Sequence, residues 1–439
     1  MAMSDRICST RVSCPATCPP FLATKAGARR VACDARADAS RSAGLRPAYG
    51  ILVGALLLIF GSGVPVKAKS FVTTRGAHFM LNARPFYVTG VNNHYLVWGS
   101  KVEVDRVLDA AVAMGANVVR TILGPAIGAP GGRSPKTIWN FKSNSNSYEL
   151  NTHGVYLLYW DPKAKSMAIN AGANGIGRID DLLAAAAKRH LKLLLALVDN
   201  WAFIGDMPQM DAWYGSTDNT GFFFTDPKTI ADYKTWARYL ITHVNPLTGL
   251  MYRDDPTIFG WELMNESQAR PDLRHSWTAT MSAYIKSLDP NHLVSSGDAL
   301  LTMDEFSIPS IDFVTWHAYP KYYGITPDAM NALIRSNCEV AGQYQKPVLL
   351  EEFGYAGNSK EPTQAEVYHT WLKTMATDKN CAGWLVWSLV GQQDSGFYPK
   401  DTGGWFDIHE HGGSTWTLLS RAAHAGRAYA GRHAPLKRP

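Results

Sequence analysis

Eight short apolar runs, alternating with longer segments of helical period, constrain this chain more than any other feature. The runs are FYVTGV (86–91), ANVVRT (116–121), LKLLLALVDN (191–200), TIFGWELMNE (257–266), HLVSSG (292–297), DFVTWHAY (312–319), PVLLEEFG (347–354) and GWLVWSLV (383–390). Segments such as VEVDRVLDAAVAMG (102–115) and PDAMNALIRSNCEVAGQY (327–344) lie between them, with apolar residues three and four apart. The connection after the fifth run is short and irregular. Strands that are apolar almost throughout are buried on both faces, as in a parallel sheet covered by helices. The expected fold is therefore α/β, a single (β/α)8 TIM barrel. A doubly wound sheet is the alternative, but no G-x-G-x-x-G turn follows the first run. A long Gly-, Asn-, Ser- and Tyr-rich stretch from Ile122 to Gly175 follows the second, where it would wall a cleft on the catalytic face.

In such a barrel chemistry collects at the C-terminal ends of the strands. Those ends carry Arg120, then Asp199-Asn200-Trp201, Asn265-Glu266, His317 with Tyr319, Glu351-Glu352, and Trp387. One carboxylate closing an apolar run is ordinarily a solvated terminus. Two, with Arg, Asn, His, Tyr and Trp at the other ends, point to a built site. Paired carboxyl groups across a cleft suit glycosidic-bond cleavage, one protonating the leaving oxygen and the other attacking the anomeric carbon or stabilising its charge. Glu351 and Glu352 are alternatives for the second role, because successive residues of a regular strand face opposite sides. For the same reason Asn265 and Glu266 face one pocket only if the strand ends irregularly.

Aromatic content supports a sugar ligand. All 14 tryptophans lie beyond Ala68; Trp98, Trp201, Trp213 and Trp405 fall on expected rim loops, whereas Trp236, Trp277 and Trp371 sit inside helical periods and read as core. Indole faces pack on the C–H faces of sugars and leave an N–H for hydroxyls. The net charge of +6 belongs to the first 68 residues, and the remainder balances 34 basic against 34 acidic residues, so nothing argues for nucleic acid.

The apolar run Ile51–Phe60 behind Arg41 and Arg46, followed by Val66-Lys67-Ala68, reads as a secretory signal with cleavage after Ala68. The expected organisation is a leader over 1–68 and a catalytic barrel over 69–439, secreted or periplasmic, or membrane-anchored if the leader is retained. Cys8, Cys14, Cys18 and Cys33 lie in the leader. Cys338 and Cys381 are left to pair in an oxidising compartment or to remain buried thiols. No cofactor or metal is called for, since His409 to Gly413 (HEHGG) shows no third ligand.

In this order, Arg120, Asn265-Glu266, His317-Ala318-Tyr319, Glu352 before Phe353-Gly354, and Trp387 resemble the active-site set of glycoside hydrolase family 5. The stretch YRDDPTIFGWELMNE resembles its endo-β-1,4-mannanase branch. The resemblance implies a retaining (β/α)8 enzyme acting on β-mannan, glucomannan or a related plant polysaccharide; a monomer is expected. By it, Glu266 is the acid/base and Glu352 the nucleophile. Asn265 would bond the sugar 2-hydroxyl, and Arg120 and Tyr319 would hold Glu352. His317 would support Glu266 or a hydroxyl, Asn200 and Trp201 would contact substrate, and Trp387 would form the sugar platform. Glu352 is expected to stay ionised, and Glu266, with no cation near it in sequence, to have a raised pKa. Two departures, Ser267-Gln268-Ala269-Arg270 after Glu266 and Asp199 before Asn200-Trp201, fall on the rim around the leaving group. A β-1,4-glucanase, an exo-β-mannosidase and a non-catalytic carbohydrate-binding barrel are the other readings.

Overall fold

The computed structural model describes residues 70–130, 153–399 and 405–432; the expected leader, its cysteines and part of the loop after the second strand lie outside them. All eight expected strands form: β1 Val88–Asn92, β2 Val118–Ile122, β3 Lys192–Ala196, β4 Ile258–Glu262, β5 Leu293–Ser295, β6 Val314–Ala318, β7 Val348–Phe353 and β8 Gly383–Val386. They make one sheet in the order β5-β4-β3-β2-β1-β8-β7-β6, and each pairing is parallel. The seam between β5 and β6 is bridged outside the regular ladder. Val294 N donates to Asp312 Oδ2 (2.8 Å), and Asp312 N (2.9 Å) and His317 N (2.9 Å) donate to Val294 O and Ala299 O.

The covering helices are α1 Lys101–Met114, α2 Ile176–Lys188, α3 Pro227–Thr242, α4 Pro271–Leu288, α5 Pro327–Tyr344, α6 Gln364–Thr377 and α7 Gly413–Arg432. Their starts follow from local chemistry. Ser100 and Glu103 close a capping box on α1, Thr363 and Glu366 another on α6, and α3, α4 and α5 each begin with a proline. After β5 the crossover is a single 3-10 turn, Met303–Ser307, as its short irregular sequence implies.

The lower half of the barrel is filled by Val88, Val118, Leu194, Phe259, Phe313, Leu349 and Leu385. An N-terminal hairpin, Val72–Arg75 with His78–Leu81, inserts Phe79 below them, its ring 5.0 Å from Phe259 and 5.3 Å from Phe313. Two residues above Val118, on the same inward face, the apolar filling gives way to Arg120.

Cys338 on α5 and Cys381 before β8 form a disulfide with Cα atoms 4.8 Å apart. It ties α5 to the entry of β8 across 43 residues. Removing it, by reduction or by Cys338→Ser with Cys381→Ser, is expected to cost about 2–4 kcal/mol. Denaturant unfolding with and without reductant measures this, and coincident curves would contradict it.

Candidate active site

Regular pairing on β4 stops at Glu262, and the chain then runs irregularly between its neighbours. Met264 N donates to Ser296 O, Asn265 N to Val198 O and Glu266 N to Gly297 O. Glu266 sits at φ +49°, a left-handed conformation that costs a non-glycine residue on the order of 1–3 kcal/mol. This irregular end, expected from the sequence, lets Asn265 and Glu266 face one pocket. Gly297 (φ +80°) passes so close to Met264 O and the Glu262 carboxylate that a Cβ would collide with both.

Strict alternation also fails on β7, where the sequence left Glu351 and Glu352 as alternatives. Trp316 lies opposite Leu350 but His317 lies opposite Glu352, so Glu351 is an inserted residue. Both carboxylates consequently turn toward Arg120, at 3.6 Å (Glu351) and 2.6 Å (Glu352). The expected choice between opposite sides does not arise.

Arg120, with no exposed surface, is the hub. Its Nε and Nη2 donate to the two oxygens of Glu262 (2.7 and 2.5 Å), Nη1 to Glu352 Oε1 (2.6 Å) and Asn92 Oδ1 (3.1 Å), and Nη2 also to Asn265 Oδ1 (2.8 Å). Asn265 donates in turn to Asp199 Oδ1 (2.8 Å), leaving a second amide hydrogen for a ligand. Tyr319 donates to Glu352 Oε2 (2.7 Å). Across the cleft, Glu266 Oε1 is 2.7 Å from His317 Nδ1 and Oε2 accepts from Trp201 Nε1 at 2.7 Å. Trp387 stands at the end of β8 with its ring 6.1 Å from that of His94.

The electrostatics reverse the expectation for the two glutamates. Burial alone would raise Glu266, but His317 and Trp201 outweigh it and hold its carboxyl below the ordinary value. For Glu352 burial prevails over His317 and Arg120, and its pKa is raised. The cation beside Glu266 comes from β6, 51 residues away, so no local reading could supply it. His317 is itself pushed up to about 10: burial opposes its charge, yet Glu352, Glu266 and Glu351 prevail.

Several rim expectations also change. Asn200 is fully buried and accepts from Gln268 N (3.1 Å), which fastens the loops after β3 and β4; its amide nitrogen has no hydrogen-bond partner among the described residues. Trp98 and Trp213 are buried, and Trp213 donates to Ile127 O. Trp405 is exposed, and Lys321 Nζ stands over its ring. Trp236, Trp277 and Trp371 are core, as expected. Sequence reasoning passed over Glu262 and Asn92, and placed Asp199 on the rim, whereas it is buried behind Asn265. The signal for Glu262 was there, an acid between Trp261 and Leu263 inside an apolar run. Burial raises Asp199 to about 8.

Two clusters among the described residues bring three metal-capable groups within 4.8 Å of one another. In Glu266, His317 and Glu352, both ring nitrogens of the histidine already face carboxylates, an arrangement suited to protons. In Glu103, His153 and Asp394, Glu103 is occupied by Ser100 N and Asp394 N. His409 of the HEHGG segment stacks flat on Tyr398 at 4.3 Å.

Residues 173–396 match the family model "GH family 5 beta-mannosidase-like". The chain is 30% identical over 377 residues to mannan endo-1,4-beta-mannosidase F of Aspergillus fumigatus, covering 80% of this chain and 77% of that protein. The crystal structure of an endo-1,4-beta-mannanase from Rhizomucor miehei aligns with TM-score 0.68 at 27% identity, over 82% of this chain and 100% of that one. An endo-beta-1,4-mannanase from Thermotoga petrophila aligns with TM-score 0.63 at 28% identity, over 78% and 77%. With its eight-stranded barrel and its glutamates at the ends of β4 and β7, this chain belongs to glycoside hydrolase family 5.

Proposed function

We propose that the protein is a retaining endo-β-1,4-mannanase, with Glu266 as acid/base and Glu352 as nucleophile. The observation that carries the stereochemistry is their proximity: a carboxyl oxygen of Glu266 and one of Glu352 lie within 4.8 Å. Direct attack at the anomeric carbon needs carboxyls about 5–5.5 Å apart, whereas an interposed water needs about 6.5–9.5 Å. The mannan substrate rests on the relatives, which are named for it.

The contacts support the following reaction. Glu266, protonated, gives its proton to the glycosidic oxygen while a Glu352 oxygen bonds to the anomeric carbon and the C–O bond to the leaving sugar breaks. Glu266, now ionised, takes a proton from water, whose oxygen displaces Glu352 and restores both groups. The low pKa of Glu266 in the empty site suits this second step, when Glu352 is esterified and carries no charge. For the first step the bound sugar must raise it, by excluding water and by placing ionised Glu352 opposite in a drier cleft. Glu352 is aimed throughout, since Arg120 and Tyr319 each donate to one of its oxygens. Asn265 offers its remaining amide hydrogen to the 2-hydroxyl, and Trp387 a face to the sugar ring.

The barrel from residue 69 is the catalytic part and residues 1–68 its export leader, giving a secreted or periplasmic enzyme. The Cys338–Cys381 disulfide supports that compartment. Mass spectrometry of exported protein tests it, with an N-terminus near Lys69 expected.

Glu266→Ala should cut polymer hydrolysis by about 10²–10⁴-fold, the usual worth of a positioned acid/base. Glycosylation by an aryl mannoside with an acidic phenol should survive, because that group leaves without protonation. Equal losses on both substrates would remove Glu266 from the role. Reducing-sugar release from mannan, glucomannan and cellulose, read with product lengths, tests the substrate: oligosaccharides from mannan are expected. Mannose alone would indicate an exo-mannosidase, cellulose cleavage a glucanase, and no release a binding barrel.

A further inference from the structure

We propose that Glu351, the residue before the nucleophile, is a positioning residue of this reaction: paired with Glu262 behind His317, its carboxylate keeps the imidazole doubly protonated and aimed through Nδ1 at Glu266. The proposal rests on the reading of Glu266 as acid/base and adds what governs it.

Glu262, Glu351 and His317 have no exposed surface. Glu351 Oε2 lies 3.4 Å from His317 Nε2, and on the other edge of the ring Nδ1 lies 2.7 Å from Glu266 Oε1 and 3.4 Å from Glu352 Oε2. Carboxylates thus face both ring nitrogens. A neutral imidazole would turn a lone pair on one of them; only the imidazolium puts a hydrogen toward each.

The charges give the same answer. Four buried or half-buried carboxyls, Glu262, Glu266, Glu351 and Glu352, surround two cations, Arg120 and His317. The first displacement needs one proton on Glu266. One more, shared between Glu262 and Glu351, makes the cluster neutral, and these two side chains are in hydrogen-bonding contact. Among the described residues Glu351 Oε1 meets no N–H or hydroxyl donor, which leaves that oxygen able to accept a carboxyl proton. Burial raises Glu262 to about 8, against the pull of Arg120. Burial also opposes charge on Glu351, but Arg120 and His317 outweigh it and lower its pKa. The remaining titratable groups around His317 are Asp298 after β5, raised to about 6 by burial, and Tyr319 and Tyr323 after β6; Asp199 after β3 flanks Glu266. Of these carboxyls, Glu351 alone faces Nε2. It does not touch Glu266, so its influence there passes through the ring.

Nitrogen-15 NMR of histidine-labelled full-length protein tests this, with the His317 signals assigned by their loss in His317→Gln. In the wild type both ring nitrogens should remain protonated from pH 5 to pH 8. In Glu351→Gln the His317 midpoint should fall by about one to two pH units. Glu262→Gln should leave His317 charged, because the amide donates to Glu351 as the shared proton did. An unmoved midpoint in folded Glu351→Gln overturns the proposal. So does a single neutral tautomer in the wild type at pH 7, which needs no variant to fold. Failure of the acid/base reading would show separately, in the Glu266→Ala rates on the two leaving groups.

Discussion

Glu352→Ala is expected to abolish turnover, with kcat lower by about 10⁴-fold or more on every substrate, in a protein that still folds. The loss is this large because no other group can take over: an oxygen must reach the anomeric carbon directly, and Glu352 is held by Arg120 at 2.6 Å and Tyr319 at 2.7 Å. Folding survives because Arg120 keeps Glu262, Asn92 and Asn265 as partners. Activated leaving groups should not rescue this variant, which distinguishes it from Glu266→Ala. NMR of the first-formed product of wild-type enzyme should show the substrate's own anomer; an inverted product would defeat the assignment. Because Glu351 also faces Arg120, Glu351→Ala is the necessary companion. It should impair the enzyme yet still form the glycosyl ester, detectable by mass on the peptide containing Glu352. Full activity in Glu352→Ala with none in Glu351→Ala would move the nucleophile by one residue.

Arg120→Ala should be the most destabilising single change in the barrel, at about 3–5 kcal/mol, the cost of leaving buried charge unpaired. Glu262, Glu351 and Glu352 would lose their shared cation with no water to replace it. Arg120→Lys would recover little, because an ammonium cannot meet Glu262 in the two-pronged fashion while also reaching Glu352 and Asn265. The loss depends on pH. Without Arg120 the folded-state pKa values rise, those of Glu262 and Glu352 further above their unfolded ones and that of Glu351 from its lowered position, so the native variant is favoured where they are protonated and loses stability as pH rises. Glu262 is already at about 8 in the wild type against an ordinary 4.5. The gap between wild type and variant should therefore be smallest below pH 4.5 and widen through neutral pH. Chemical denaturation at several pH values measures it; a gap independent of pH would mean that Arg120 acts through packing alone.

The barrel was legible because each strand announces itself locally. Apolar runs such as VVRTI and VLLEEF need burial on both faces, and capping boxes at Ser100 and Thr363 with prolines at Pro227, Pro271 and Pro327 punctuate the helices between them. Strand order in a parallel barrel follows chain order, so the ends carrying Arg120, Asn265-Glu266, His317, Tyr319, Glu352 and Trp387 could be gathered without coordinates. Tertiary structure alone decided what those groups do to one another. The inserted residue on β7 turns Glu351 and Glu352 both inward, where an alternating strand would have parted them. Burial hides Asn200 and brings Trp201 onto Glu266, although both read as rim residues. Above all, His317 meets Glu266 across 51 residues and lowers a pKa expected to rise. Periodicity and caps are properties of neighbours along the chain, so the sequence determined the fold and the list of candidate residues. Charge acts through space and is amplified by burial, so which carboxyl holds a proton was decided only when the barrel closed around them.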